Sequence, residues 1–257
     1  MTIRFYKYQG TGNDFVMIDN RLDLFPKNDV NFIKMLCDRR LGIGADGLIL
    51  LEEHPSLDFR MEYYNADGNP SSMCGNGGRC IVKFAKQLTV IKDFAKFEAV
   101  DGLHEAEIKE GVVKLKMNDV ENIDVSKDFT FLNTGSPHHV EHVENLAQYD
   151  VKTNGALIRN SRYGMEGANV NFIEQTEDDA FFVRTYERGV EDETLSCGTG
   201  VTAVALSLYE NKIINTNEVV LKTAGGALTV RFDYSKGSYR NIYLEGPALL
   251  VYTGLWE

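Results

Sequence analysis

Two cysteines of this chain have closely similar neighbours. Met73-Cys74-Gly75-Asn76-Gly77 and Ser196-Cys197-Gly198-Thr199-Gly200 each place a cysteine before a glycine, one further residue and a second glycine. Both turns are predicted to open a helix, where free N–H groups and the helix dipole favour an anion. A thiol ionises more readily there, and the same amides can hold a carboxylate because glycine permits close approach of the backbone. The motifs predict acid–base chemistry by two thiols on a small carboxylate-bearing molecule.

The two cysteines are 123 residues apart, and the same offset joins other identical residues. Six further residues meet an identical partner at this offset: Thr11, Gly12, Gly44, Ala45, Phe59 and Tyr63, with partners Thr134, Gly135, Gly167, Ala168, Phe182 and Tyr186. With the cysteine motifs this makes nine identities in one ungapped register. The pattern predicts two copies of one fold unit, whose pseudo-twofold axis would place the thiols opposite each other. Facing thiols can remove an α-proton from one face of a carbon atom and return a proton to the other.

Length, composition and charge narrow the class of protein. A chain of 257 residues suits one large domain or two of about 125 residues, and the repeat favours two. No stretch approaches the roughly 18 apolar residues of a membrane span, and the start of the chain does not resemble an export signal. We therefore expect a cytoplasmic protein with reduced thiols. The net charge of −11 argues against nucleic acid or a membrane as partner, although local amides and one arginine can bind a small anion.

The hydrophobic pattern predicts strands and one central helix in each half. In the first half we predict strands within 3–19, 47–51, 59–64 and 97–117, and helices over 29–40 and 75–88. In the second half we predict strands near 129–143, 170–174 and 180–188, helices near 146 and over 200–209, and closing strands up to 256. This order is typical of an α+β fold with mostly antiparallel sheets. The polar segment 118–127 is the predicted boundary, so the lobes span 1–118 and 119–248.

The other cysteines and the histidines give no metal pattern. Cys37 and Cys80 lie on apolar helix stripes and are predicted to be core residues, and the chain has no Cys-x₂-Cys pair. His138 and His142 would share one face of a strand and His139 the other, without acidic partners at a suitable spacing. No lysine lies in a glycine-rich phosphate-binding loop. We therefore predict no metal and no pyridoxal phosphate, and we interpret His138 as part of the active-site wall.

Glu187 and Arg188 end a predicted strand shortly before Cys197. Such a dipeptide is often a solvated pair, but the repeat places this one beside the thiol and favours contact with a ligand. Arg188 would supply a two-pronged donor for a carboxylate. Asparagine amides could pair with ammonium or carboxylate groups, and the candidates are Asn13, Asn65 and Asn169.

These motifs together resemble the diaminopimelate epimerase family, cofactor-independent enzymes of lysine and peptidoglycan precursor synthesis. The resemblance covers essentially the whole chain. It is carried by Gly10-Thr11-Gly12-Asn13-Asp14-Phe15, Gly42-Ile43-Gly44-Ala45-Asp46-Gly47, Tyr64-Asn65-Ala66-Asp67-Gly68, Met73-Cys74-Gly75-Asn76-Gly77-Gly78-Arg79-Cys80, Pro137-His138, Arg184-Thr185-Tyr186-Glu187-Arg188-Gly189 and Cys197-Gly198-Thr199-Gly200.

The resemblance implies interconversion of LL- and meso-2,6-diaminopimelate, with Cys74 and Cys197 as the acid–base residues and His138 and Glu187 assisting proton transfer. The implied substrate contacts are Asn13, Asn65, Gly75, Asn76, Asn169, Glu187, Arg188, Gly198 and Thr199. The implied fold has two pseudo-symmetric lobes, each a mostly antiparallel sheet or barrel around a central helix, with 249–257 returning to the first lobe. The resemblance implies no cofactor and leaves the oligomeric state open, with a homodimer as one hypothesis.

Two alternative functions remain open. A proline or hydroxyproline racemase resembles the same fold with paired cysteines, but that family tends to carry histidine where this chain has Asn76. A redox-switch binding protein would join Cys74 to Cys197 in a reversible disulfide and would not need His138 or Glu187. Asn76 and Arg188 favour a substrate with a distal charged end.

Overall fold

The computed structural model describes residues 2–71, 73–176 and 180–257. Contacts divide the chain into two compact units. Unit 1 comprises Met1–Leu115 and Gly246–Glu257, and unit 2 comprises Lys116–Glu245. Each unit combines β-strands with a long buried helix, so the predicted α+β class is confirmed.

In unit 1 the strands pack against a long buried helix. The elements are β1 (Ile3–Gly10), β2 (Asn13–Asp19), α1 (Val30–Cys37), β3 (Gly47–Glu52), β4 (Phe59–Asn65), α2 (Gly75–Gln87), β5 (Phe94–Ala99), β6 (Gly102–Lys109), β7 (Val112–Lys116) and β17 (Leu249–Trp256). β17 pairs antiparallel with β1, and the pairs β2–β3 and β4–β5 are parallel. Helix α2 packs against β1, β2 and β3, where Phe84 contacts the rings of Tyr6 and Tyr8.

Unit 2 repeats this order of strands and helices, with two additional short strands and a 3-10 turn before its long buried helix. The elements are β8 (Ile123–Val125), β9 (Thr130–Asn133), β10 (Pro137–His142), a 3-10 turn (Leu146–Gln148), α3 (Val151–Tyr163), β11 (Asn169–Gln175), β12 (Phe181–Glu187), β13 (Asp192–Thr194), α4 (Gly198–Glu210), β14 (Glu218–Thr223), β15 (Gly226–Ser235) and β16 (Ser238–Pro247). The sequence pattern predicted a helix near residue 146, where the structure has the 3-10 turn, and it did not predict α3. Only Val151 and Gly155 of this helix are buried, so it carries little apolar periodicity.

The internal repeat is visible in the structure. Helices α2 and α4 begin and end 123 residues apart, and both units contain a parallel pair at equivalent places, β2–β3 and β10–β11. Gly44 and Gly167, identical at this offset, have φ of 79° and 64°. Glycine adopts this left-handed conformation without steric cost, which explains why both copies retain it.

The prediction of one ungapped register is wrong over two strands. β11 and β12 begin 122 residues after β3 and β4, not 123. The buried Phe59 at the start of β4 therefore corresponds to the buried Phe181, while Phe182 is only half-buried. A shift of one residue turns a strand side chain to the opposite face. The identities of Phe59 with Phe182 and of Tyr63 with Tyr186 are coincidental.

One extra residue restores the 123-residue offset before α4. β4 ends at Asn65 and β12 ends at Glu187, so these two residues occupy equivalent strand ends. The segment from Glu187 to Cys197 is one residue longer than the segment from Asn65 to Cys74, and it contains β13. In both units the segment after this strand leads to the N-terminus of the long buried helix.

Candidate active site

Cys74 caps the N-terminus of helix α2. Its backbone is extended, with φ −115° and ψ 146°, and its sulfur accepts a hydrogen bond from the backbone N–H of Gly77 at 3.2 Å. A sulfur atom thus occupies the place of the usual capping oxygen, at the positive end of the helix dipole. The Cys74 side chain is half-buried. This environment stabilises a thiolate.

Cys197 caps helix α4 in the same backbone conformation, with φ −118° and ψ 113°. Its sulfur lies 3.4 Å from the hydroxyl of Thr199, and the residue is 7% exposed. The second glycine of the motif, Gly200, is required by packing. A Cβ atom there would lie 2.3 Å from Oδ1 of Asn171.

Asn13 presents its carbonyl oxygen to the first helix start. Oδ1 of Asn13 lies 3.8 Å from Sγ of Cys74 and accepts from Nδ2 of Asn76 at 3.4 Å. Its Nδ2 donates to Oδ2 of Asp46 at 2.6 Å. Because a carboxylate can only accept, the NH₂ end of the Asn13 amide must face Asp46, and this leaves the carbonyl oxygen facing the thiol.

A charged cluster supports Asn13 from behind. Lys7 forms an ion pair with Asp14 at 2.8 Å, and Arg39 donates to both Asp14 oxygens, at 3.0 and 2.7 Å, and to Asp46 at 2.6 Å. Burial alone would raise the pKa of Asp14, but the hydrogen bonds and charges of Arg39 and Lys7 hold it well below its usual range. The Asp14 carboxylate is therefore ionised at neutral pH and fixes the start of β2.

His138 is fully buried on β10 and is neutral. Burial, followed by the charge of Arg188, lowers the pKa of His138 to about 3. Nδ2 of Asn171 donates to Nδ1 of His138 at 3.1 Å and to the carbonyl oxygen of His139 at 2.9 Å. The carbonyl fixes the orientation of the amide, so Nδ1 of His138 accepts and Nε2 carries the proton.

Asn169 joins Arg188 to the same group of residues. Its Oδ1 accepts from the backbone N–H of Arg188 at 2.8 Å, and its Nδ2 donates to the hydroxyl of Ser136 at 3.2 Å and lies 3.4 Å from Nε2 of His138. The exposed guanidinium of Arg188 donates to the carbonyl oxygen of Glu166 at 2.8 Å and approaches Ser136 at 3.4 Å. Arg188 is therefore tethered and retains donors that face solvent.

The remaining predicted residues lie at strand and helix ends. Asn65 is exposed at the end of β4, and the half-buried Glu187 pairs through its backbone with Asp192 of β13. Gly75 and Asn76 form the first turn of α2, and Gly198 and Thr199 form that of α4. Unit 1 thus groups Asn13 with Cys74 to Asn76, and unit 2 groups His138 with Asn169 and Arg188. Cys197 to Thr199 form the helix start of unit 2.

Three supporting residues were missed by sequence reasoning. Asp46 orients Asn13, Asn171 orients His138, and Arg79 lies fully buried behind the first helix start. Asp46 and Arg79 are within the quoted motifs, where their polarity gave no sign of burial or pairing. Asn171 could have been noticed as a polar residue inside an apolar strand run.

The other predicted core residues are buried as expected. Cys37 is 2% exposed and Cys80 is fully buried, and all four cysteines are free thiols. Burial raises the pKa of Cys37 to about 12 and raises that of Cys80 still further. Over residues 2–71, 73–176 and 180–257, no group of three or more His, Cys, Asp or Glu side chains could hold a metal ion. No helix in these ranges is long and apolar enough to cross a membrane.

Comparison with known proteins identifies the family. A family model described as diaminopimelate epimerase matches residues 5–123 and 130–251. The chain belongs to the diaminopimelate epimerase family. A diaminopimelate epimerase of Flavobacterium psychrophilum is 55% identical over 97% of this chain and 98% of its own length. That of Chlorobaculum tepidum is 46% identical over 95% and 98%.

Solved structures outside the diaminopimelate epimerase family share the fold. A PhzF-family phenazine biosynthesis protein of Bacillus anthracis matches with a TM-score of 0.79 at 15% identity, covering 100% of this chain and 99% of that one. A hydroxyproline epimerase of Agrobacterium vitis matches with a TM-score of 0.71 at 14% identity, covering 99% and 92%. At these identities the comparison shows a common fold only.

Proposed function

We infer that this protein is a diaminopimelate epimerase that interconverts the LL and meso forms of 2,6-diaminopimelate without a cofactor. Membership of the family supports the reaction. The observation that carries the mechanism is the pair of cysteines that cap equivalent helices, 123 residues apart. Each sulfur lies where backbone amides and a helix dipole favour negative charge.

In the proposed reaction the two thiols act on opposite faces of one α-carbon. One sulfur, as thiolate, removes the α-proton, and the other, as thiol, delivers its proton to the opposite face. At the end of the turnover the first sulfur carries a proton and the second is a thiolate. Negative charge spreads into the substrate carboxylate between these steps, and the N–H groups at Gly75–Asn76 and Gly198–Thr199 would stabilise it. Such donors typically contribute about 2.7–4 kcal/mol each.

His138 and Glu187 are proposed to assist proton transfer in different ways. His138 is neutral and carries its proton on Nε2, because Asn171 holds its Nδ1 as an acceptor, so it could donate that proton to the substrate side. Glu187 supplies a carboxylate at the end of β12, shortly before Cys197. A neutral donor and a carboxylate acceptor are the complementary groups required to pass a proton in either direction.

Substrate recognition is assigned to the polar residues at the two helix starts and at the strand ends. Arg188 would bind the distal carboxylate with its guanidinium, which Glu166 and Ser136 already hold in place. The amides of Asn13, Asn65, Asn76 and Asn169 would pair with the ammonium and carboxylate groups. These pairings favour diaminopimelate over proline, since proline has no distal charged end.

The deciding experiment follows α-deuterium incorporation and formation of the meso isomer from LL-diaminopimelate in heavy water. We expect both in the wild type and neither in Cys74→Ala or Cys197→Ala, with folding checked by circular dichroism. Cys37→Ala is the matched control, because it removes a thiol that lies outside the helix starts, and it should retain exchange. Near-normal turnover in either Cys74→Ala or Cys197→Ala would refute the two-base mechanism, and exchange into proline alone would refute the substrate.

The assembly that we propose is a homodimer. Strand β17 exposes a row of apolar side chains, of which Leu249, Val251 and Leu255 are each more than half exposed. An exposed apolar surface of this kind suits association with a second copy of the same chain. Sedimentation of the wild type and of Val251→Lys should give a dimer and a weakened dimer. A wild-type monomer at micromolar concentration would refute this assembly.

A further inference from the structure

The two helix starts differ by one buried charge. Arg79 and Thr202 each lie five residues after the capping cysteine, and each side chain donates to the same backbone carbonyl position. Nη1 of Arg79 donates to the oxygen of Gly75 at 3.2 Å, and Oγ1 of Thr202 donates to that of Gly198 at 2.9 Å. The repeat therefore places a cation behind Cys74 and a neutral hydroxyl behind Cys197.

Arg79 is fully buried among neutral acceptors. Its Nη2 donates to Oγ1 of Thr11 at 3.1 Å and to Oδ1 of Asn76 at 2.9 Å, and its Nε to the carbonyl oxygen of Pro247 at 3.5 Å. Within the described ranges no Asp or Glu carboxylate lies at ion-pair distance from it. Burial lowers the pKa of Arg79 to about 10, while negative charge on Cys80 and Cys74 would raise it. A buried guanidinium without a carboxylate favours an anion nearby.

Of the two thiols beside Arg79, Cys74 is the one able to ionise. Cys80 has no solvent exposure, and burial raises its pKa far above the ordinary value. Cys74 is half-buried, and its sulfur already accepts the N–H of Gly77 at the positive end of α2. A negative charge on Cys74 is thus favoured by the helix start and by the guanidinium, and opposed by the carbonyl oxygen of Asn13, which lies 3.8 Å from the sulfur.

We propose that Arg79 is a positioning residue that keeps Cys74 as the thiolate in the resting enzyme, while Cys197 carries the proton. This inference rests on the proposed two-base function and specifies which base is charged before substrate binds. Arg79 contacts the capping turn through Gly75 and Asn76, and we assign it no contact with the substrate. Its charge, rather than its volume, is the property that matters.

The test is the pH dependence of alkylation by iodoacetamide, with each cysteine followed by peptide mass mapping. The apparent pKa values of the two sites are compared instead of their alkylation rates, because Cys74 and Cys197 differ in solvent exposure and exposure changes the rate. In the wild type we expect Cys74 to titrate at least about one pH unit below Cys197. A shift of one unit corresponds to about a tenfold difference in the thiolate-to-thiol ratio. Cys37 and Cys80 should stay unmodified and serve as internal controls.

Variants of Arg79 separate charge from packing. Arg79→Met should raise the apparent pKa of Cys74 by about one unit or more and slow its alkylation at neutral pH about tenfold. Arg79→Lys should restore most of the reactivity, and Thr202→Val, the matched change in the other repeat, should leave the Cys74 profile unchanged. Arg79→Lys behaving like a folded Arg79→Met would mean that Arg79 acts through shape alone.

Two outcomes would overturn the proposal. One is a wild-type protein in which Cys197 titrates below Cys74, a result that needs no variant to fold. The other is a folded Arg79→Met with an unchanged Cys74 profile. Epimerisation of LL-diaminopimelate is measured on the same samples. If the wild type epimerises diaminopimelate and one of these two results is obtained, only the proposed role of Arg79 is refuted. If the wild type does not epimerise diaminopimelate, the proposed function is refuted, whichever thiol has the lower apparent pKa.

Discussion

Replacing the second glycine of each cysteine motif by alanine should destabilise unit 2 much more than unit 1. In Gly200→Ala the new Cβ atom would lie 2.3 Å from Oδ1 of Asn171, well inside contact distance. In Gly77→Ala it would meet Cδ1 of Ile49 at 3.0 Å and Cε of Met61 at 3.3 Å. Those two atoms are ends of apolar side chains that can move by a few tenths of an ångström.

Asn171 cannot move at similar cost, because its amide is bonded at both ends. Its Oδ1 accepts from Thr185 at 3.0 Å, and its Nδ2 donates to His138 and to the carbonyl oxygen of His139. Overpacking a core site costs about 1–3 kcal/mol, and each lost hydrogen bond costs about 1 kcal/mol. Alanine regains about 1 kcal/mol of helix propensity over glycine. With two of these three hydrogen bonds lost, the net loss for Gly200→Ala is about 2–4 kcal/mol, against a change near zero for Gly77→Ala.

Urea unfolding of the two variants and the wild type measures this difference directly. Gly200→Ala should lower the free energy of unfolding by about 2–4 kcal/mol and also reduce kcat, because His138 loses its fixed partner. Gly77→Ala should stay within about 1 kcal/mol of the wild type. The reasoning fails if both variants are equally stable, since the two positions would then have equivalent surroundings.

Three further predictions follow from the site. Arg188→Lys keeps the charge but loses the two-pronged donor, so KM for diaminopimelate should rise while kcat changes little; an unchanged KM would place Arg188 outside the substrate site. Asp46→Asn removes a carboxylate that orients Asn13, so kcat should fall with little change in thermal stability, and a normal kcat would show that this orientation is unimportant. Burial lowers the folded-state pKa of His138 to about 3, so between about pH 6.5 and pH 3 only the unfolded chain binds a proton at this residue. The free energy of unfolding should therefore fall by up to about 1.4 kcal/mol for each pH unit below about 6.5. In His138→Leu, the free energy of unfolding measured with urea should differ less between pH 7 and pH 5 than it does in the wild type. An equally large difference would mean that other groups cause the pH dependence.

The backbone of the site was largely predictable from sequence. The Cys-Gly-x-Gly motifs predicted both helix starts correctly, because a glycine-rich turn followed by an apolar helical stripe is typical of a helix N-terminus. The strands around them followed from alternating or continuous apolar runs. Helix α3 did not, because only Val151 and Gly155 face the interior. The register of β3 and β4 was also missed, since Phe59 and Tyr63 found identical but non-equivalent partners one residue away.

The polar support of the site was not predictable by the same means. Arg79 lies on a helix with other basic residues, and its type alone favours a solvated position. Only the structure shows that the Arg79 side chain is fully buried. Asp46 and Asn171 act on Asn13 and His138 through side-chain geometry, which depends on contacts between distant segments. Periodicity reports which face is buried and carries no information on which buried polar groups meet.

Two of these buried polar residues, Asn171 and Arg79, have no counterpart of the same type in the other half of the repeat. The strand residue nearest the second glycine of the motif is Ile49 in unit 1 and Asn171 in unit 2, and the helix residue behind the cysteine is Arg79 in one and Thr202 in the other. A two-base reaction starts each turnover with one thiol charged and the other protonated. Identical surroundings would give both sulfurs the same affinity for that proton. A repeated backbone can therefore hold the two thiols in matching geometry, while the buried polar residues that differ give each sulfur its own proton affinity.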